Sequence, residues 1–196
     1  MQTKELINKI NELLGKKESV VVAVEGGSAS GKTTLGKELE QIFKCTVLHM
    51  DDFFLRPEQR TEARYAQPGG NVDYERFLEE VLVPLKAGGA FSYRPFSCKT
   101  FSLGEPVKVT HKALNFVEGT YCLHPYFGNP YDLRIFLSID PMLQRERILQ
   151  RPSCLQDRFF EAWIPMERRY FDFFQIPQQA DLLLDMSRPS QQDCDL

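Results

Sequence analysis

Eight consecutive residues, Gly26-Gly27-Ser28-Ala29-Ser30-Gly31-Lys32-Thr33, fit the pattern G-x-x-x-x-G-K-[ST]. Glycines and small side chains let a backbone curl until successive N–H groups face one anionic oxygen. A helix opening near Lys32 adds the positive end of its dipole. Lys32 offers a mobile cation to the β- and γ-phosphates, Thr33 offers a hydroxyl to Mg²⁺, and Thr34 follows in the same nucleotide site. The expected ligands are ATP and Mg²⁺.

Three carboxylates and a run of arginines could act beside such a loop. Asp51 opens Asp51-Asp52-Phe53-Phe54, at the end of an expected strand. It could take the proton of an attacking hydroxyl or hold Mg²⁺ through water, or it could simply cap a helix. Asp73, in Gly69-Gly70-Asn71-Val72-Asp73, has the same choice between substrate and cap. Glu118 ends a strand-like run, where an acidic residue can serve as a Walker-B type ligand to Mg²⁺. Residues 145–169 carry Arg145, Arg147, Arg151, Arg158, Arg168 and Arg169 and no lysine. The guanidinium fork suits phosphate, and Arg147 and Arg151, four apart, share a helix face. The alternative is a solvated face paired with Glu146 and Asp157. Arg56, Arg60 and Arg64 also recur every four residues, either as a solvated helix face or as a preference for an anionic acceptor.

These residues need elements to hold them. Leu6, Ile7, Ile10, Leu13 and Leu14 predict an N-terminal helix stopped by Gly15. Val20–Val24 is a β-branched apolar run that predicts a strand buried on both faces, and Leu35, Leu39 and Ile42 predict the helix after the loop. Strand, glycine loop, helix is the opening of an α/β parallel sheet. Further strands are expected at 46–49, 113–117, 134–139 and 181–184, with weaker candidates at 90–94 and 107–109. Helices are expected at 74–86, 141–151 and 155–174, the last with Pro165 as a kink. The fold class predicted is a three-layer α/β/α P-loop NTPase with a mainly parallel five-stranded sheet and an arginine-bearing lid. One domain is expected over 1–196, with an N-terminal helix (1–15), a core (19–185) and a tail (186–196).

Composition narrows the classes. The 196 residues include 24 Lys+Arg and 27 Asp+Glu, for a net charge of −3, which argues against nucleic-acid or membrane-surface binding. No apolar run nears the roughly 20 residues of a membrane span. The N-terminal segment is charged throughout, unlike a signal peptide. Five scattered cysteines without a C-x-x-C predict a reducing, cytoplasmic setting. Cys122 and His124 lack the partner pair a zinc site needs. N-K-x-D, the base-reading motif of GTPases, is absent.

Taken in order, the loop at 26–33, Asp51-Asp52-Phe53-Phe54, Asn71-Val72-Asp73, Glu118-Gly119, Tyr131-Asp132-Leu133-Arg134-Ile135-Phe136-Leu137 and the arginines from 145 resemble the uridine kinase family. That group also includes nicotinamide riboside kinase, pantothenate kinase and phosphoribulokinase. The resemblance runs from about Val20 to Asp185. It implies that Asp51 is the general base for a nucleoside 5′-hydroxyl and that Asp73 holds the ribose hydroxyls. It further implies that Thr33 and Glu118 position Mg²⁺, and that Arg147 and Arg151 belong to a lid excluding water. Tyr93 falls in the segment that reads the pyrimidine, with Cys98 where the family carries a His; a site lacking that donor fits a different base. Trp163-Ile164-Pro165-Met166 is similar to the nicotinamide riboside kinase pattern. The activity expected is ATP-dependent phosphorylation of a small-molecule acceptor. Uridine or cytidine leads, nicotinamide riboside is second, and pantothenate or a sugar phosphate is third. Homo-oligomers are compatible with the sequence. A regulatory ATP-binding protein without an acceptor is the reading from another class. Arg188 is the position expected near adenine.

Overall fold

The computed structural model describes residues 2–151 and 155–187. Its centre is a five-stranded sheet, parallel throughout, made of β1 (Val20–Gly26), β2 (Thr46–His49), β7 (Leu114–Glu118), β8 (Leu133–Ser138) and β9 (Leu182–Asp185). The spatial order is β2-β7-β1-β8-β9. Between β2 and β7 the chain adds two small antiparallel pairs, β3 (Phe91–Tyr93) with β6 (Val107–Val109) and β4 (Phe96–Ser97) with β5 (Ser102–Leu103). The 96–103 hairpin was not among the expected elements.

The side chains of β1 alternate between two cores, as a pleated strand requires. Val20, Val22 and Val24 pack with Leu6 and Ile10 of α1 (Gln2–Leu14) and Leu35 and Leu39 of α2 (Lys32–Phe43). Ala23 belongs to the opposite core, with Phe53, Phe77, Val81, Tyr170 and Ile176. Both sheet faces are therefore covered by helices, the three-layer arrangement expected, and this is why β1 reads as a continuous apolar run.

Two expected helices differ in the same way. The 74–86 segment forms α4 (Tyr74–Phe77) and α5 (Val83–Ala87) with a wider π turn, Leu78–Leu82, between them. The 155–174 segment forms α7 (Gln156–Arg158) and α8 (Ile164–Phe174), with a π turn over Phe159–Trp163. Each π turn runs into a proline, Pro84 or Pro165. Proline has no N–H and its ring clashes with the carbonyl four residues back. The extra residue in the turn moves that carbonyl aside, so the kink expected at Pro165 is a π bulge. The arginine-bearing α6 (Pro141–Leu149) starts at a proline behind the Asp140 cap, which accepts from the N–H groups of Met142 and Leu143. The short α3 (Glu62–Tyr65) and α9 (Ile176–Gln179) complete the helices used below. Among the described residues no helix is long and apolar enough to cross a membrane.

Candidate active site

The carboxyl ends of β1, β2 and β7 meet at one edge of the sheet, the edge where α/β folds bind ligands. The 26–33 loop leaves β1 there. Gly26 has φ 153°, and a Cβ on it would come within 2.7 Å of the Leu137 carbonyl oxygen. Gly31 has φ 99° and gives α2 its start. Ala29 also has positive φ, at 61°. These reversals form a concave nest of N–H groups. Those of Gly31, Lys32, Thr33 and Thr34 have no protein acceptor among the described residues, so the cradle is free to take an anion. Lys32 folds over it, its Nζ donating to the carbonyls of Gly26 (2.8 Å) and Gly27 (2.9 Å).

A cleft of about 1010 Å³ opens from the loop and is lined by Ser28, Ala29, Gly31, Lys32, Thr33 and Thr34. Glu118, at the end of β7, is buried and accepts from the Thr33 hydroxyl (3.2 Å) and pairs with His49 Nδ1 (2.7 Å). That hydroxyl–carboxylate pair beside the nest has the donor chemistry Mg²⁺ takes. Asp51 follows β2 and also lines the cleft. Its carboxylate makes no hydrogen bond to a described residue, and the short helical turn it sits in has no side-chain cap, so the capping alternative fails. Asp51 is open to solvent through the cleft, yet the surrounding protein displaces enough water to raise its carboxyl above the ordinary range; Glu118 raises it further and Lys32 opposes.

Arg147 and Arg151 line the same cleft. Arg147 donates to the carbonyls of Ala29 and Met186, each at 3.2 Å. Met186, beyond β9, lines the cleft beside them; Arg188, expected near adenine, lies outside the described residues.

Two expected substrate residues are not brought to the cleft. Asp73 is buried and is the N-cap of α4, accepting from Arg76 N–H (3.2 Å) and from Arg56 Nε (3.3 Å). One hydrogen bond to each carboxylate oxygen ties it to the start of α4 and to Arg56, and it is not among the residues that line the cleft. Tyr93 is 4% exposed, packs on Phe53, and donates its hydroxyl to Asp52 (2.7 Å). It fixes Asp52, the neighbour of Asp51, from inside the core. Cys98, by contrast, does line the cleft, carried there by the 96–103 hairpin. The three arginines at 56, 60 and 64 share no helix face: Arg56 and Arg60 flank a 3₁₀ turn, Arg64 lies in α3, and only Arg60 lines the cleft.

Two buried carboxylates close to the loop were not among the expected residues. Glu167, on the buried face of α8 with Ile164 and Tyr170, accepts from both the N–H (2.9 Å) and the hydroxyl (2.5 Å) of Ser28. On the other side Gln144 donates to the Ser28 carbonyl (2.8 Å). Helices α6 and α8 thus clamp the phosphate loop between them. Glu25, wholly buried one residue before the loop, accepts from the N–H groups of Tyr121 (2.5 Å) and Leu123 (2.7 Å). Burial pushes its carboxyl up to about 7. The signal in each case was a charge in an apolar pattern: Glu25 in a buried strand, Glu167 in a helix stripe.

A possible uridine kinase from Bacillus stearothermophilus superposes on the chain with a TM-score of 0.64, at 20% identity, covering 92% of this chain and all of that one. A protein from Silicibacter, provisionally assigned as a fructose transport system kinase, gives a TM-score of 0.58 at 22% identity, covering 90% and 97%. The fold is that of a P-loop NTPase. In sequence, this P-loop protein is 28% identical over 142 residues to a uridine kinase of Brevibacillus brevis, a match spanning 67% of this chain and 65% of that protein. No family model matches the chain. The resemblance to uridine kinases read from the motifs is thus found both in sequence and among solved structures.

Proposed function

We propose that this protein transfers the γ-phosphoryl group of ATP to a hydroxyl of a small acceptor, nucleoside 5′-hydroxyls being the leading class. The observation that carries the proposal is Asp51. It is an uncommitted carboxylate with a raised pKa in the same cleft as Lys32 and the unpaired N–H groups of the phosphate loop. A carboxylate closer to neutrality is the better proton acceptor for a hydroxyl. As the acceptor oxygen bonds to the γ-phosphorus and the bond to the departing ADP breaks, Asp51 takes the hydroxyl proton. Lys32, the loop N–H groups and Arg147 stabilise the charge on the moving phosphoryl group. Thr33 and Glu118 are the residues that would hold Mg²⁺, whose charge neutralises the phosphate oxygens when bound. Gln144 and Glu167 keep the loop in shape so that little reorganisation is left for the reaction itself. Aromatic walls at Phe54, Phe101 and Trp163 suit an acceptor bearing a flat ring. Likeness to uridine kinases supports the same reading.

The test is ADP release with Mg-ATP against uridine, cytidine, nicotinamide riboside, pantothenate and ribulose 5-phosphate. Release that depends on one acceptor, and that falls about 10²- to 10⁴-fold in Asp51→Asn with ATP binding retained, is expected. Slow hydrolysis indifferent to every acceptor and to Asp51→Asn would instead favour a regulatory ATP-binding protein.

A further inference from the structure

Arg60 stands apart from the arginines around it. Its Nε donates to the Leu55 carbonyl (2.9 Å) and its guanidinium lies over the rings of Phe101 (4.9 Å) and Phe96 (5.5 Å). Its two terminal nitrogens have no hydrogen bond or ion pair among the described residues, and the side chain lines the cleft. Its neighbours are all occupied. Arg56 pairs with Glu58 and Asp73, Arg64 with Glu75, and Arg76 with Glu80. Arg94 donates to the carbonyls of Leu103 and Gly104, and Arg169 to those of Tyr65 and Gln67. The backbone anchor and the ring contacts hold the plane of Arg60, leaving its paired N–H edge available. That edge is a permanently charged fork matched to a carboxylate or phosphate.

No carboxylate that lines the cleft pairs with Arg60 among the described residues: Glu167 is taken by Ser28, Glu118 by Thr33 and His49, and the free carboxylate of Asp51 makes no ion pair with it. The triphosphate has its own cations in Lys32, Arg147 and Arg151. Arg60 sits on a different wall, with Phe54 and Phe101. A neutral acceptor filling that wall would strip water from an unpaired guanidinium without replacing it, which is costly.

We infer that the acceptor is itself an anion, a hydroxyl compound whose carboxylate or phosphate is held by the free edge of Arg60. This rests on the phosphoryl-transfer reading above and, within it, puts anionic hydroxyl compounds ahead of the neutral nucleosides as the acceptor. The two kinds of anion share one chemistry at the fork and are separated by the assay. With the protein saturated by Mg²⁺ and a non-hydrolysable ATP analogue, calorimetry compares pantothenate with panthenol and ribulose 5-phosphate with ribulose, alongside uridine. Each pair differs in the anionic group alone. The expected result is that at least one anionic member binds more tightly than its neutral counterpart. Arg60→Gln then weakens that member about 10- to 100-fold, with the neutral member unaffected and Arg60→Lys intermediate. Whichever pair shows the difference identifies carboxylate or phosphate. Anionic members that bind no better than neutral ones, or an Arg60→Gln loss equal for both, overturn the inference. Failure of the underlying reading looks different: ADP release stays independent of acceptor while anion binding and its loss in Arg60→Gln persist.

Discussion

Glu25 provides a quantitative test of the buried charge that ties the end of β1 to the 119–124 segment. Its carboxyl is fully buried, and burial outweighs both backbone N–H bonds and the pull of Lys32, moving it from an ordinary 4.5 to about 7. At about 1.4 kcal/mol per tenfold change in proton affinity, that corresponds to about 3 kcal/mol. The sign follows from which state keeps the proton. Between pH 4.5 and 7 the folded protein holds it and the unfolded chain releases it, so the contribution is complete below about 4.5. It is lost as pH rises through about 7, and above that it is constant. The assay is urea denaturation of the wild type and Glu25→Gln at pH values from 4 to 8.5. Gln keeps the shape, loses the titration, and sets an amide NH₂ against one of the two N–H donors, a penalty independent of pH. The stability difference, wild type minus variant, is expected to fall by about 3 kcal/mol between pH 4.5 and 7.5. A difference flat in pH would refute the argument. One that grew with pH would show that Glu25 is ionised in the fold and stabilised by Lys32.

His124 should show the opposite slope. It stacks between Tyr74 and Tyr170 and burial lowers its pKa to about 4, so its contribution is present above 6.5 and lost as pH falls through 4; His124→Gln should remove that acid-side loss in the same denaturation series. Glu167→Gln keeps one of the two acceptors for Ser28 and should cost about 1–3 kcal/mol while raising the KM for ATP severalfold; a drop in Tm with KM unchanged would confine Glu167 to packing. Arg147→Ala should lower kcat at least 10-fold with a smaller effect on acceptor KM, and an unchanged kcat would take Arg147 out of the mechanism.

Where chemistry is encoded by contiguous residues, the sequence alone determined it. The strand 20–26, the loop 26–33 and the helix from Lys32 could be read because local backbone preferences and the loop's small residues dictate one another. Asp51 and Glu118 were legible for a related reason: each ends a strand, and parallel strands of a sheet deliver such ends to one edge. Only the tertiary structure decided what each side chain does with its hydrogen bonds. Asp51 and Asp73 offered the same choice in sequence, yet Asp73 meets Arg56 and the Arg76 N–H and becomes a cap, while Asp51 sits within a short helical turn and meets no donor. The sequence put Tyr93 near the substrate, but that Phe53 packs on it and Asp52 takes its hydroxyl, both about forty residues away in the chain, was not visible there. Glu25 and Glu167 stood in apolar patterns without a visible partner, because their partners come from the 119–124 loop and from Ser28. Arg60 was one of three equal arginines until packing gave its neighbours counter-ions and left it facing the cleft. A local pattern fixes where a side chain starts, but its charge and hydrogen-bond partners arrive from distant segments, and those partners assign its role.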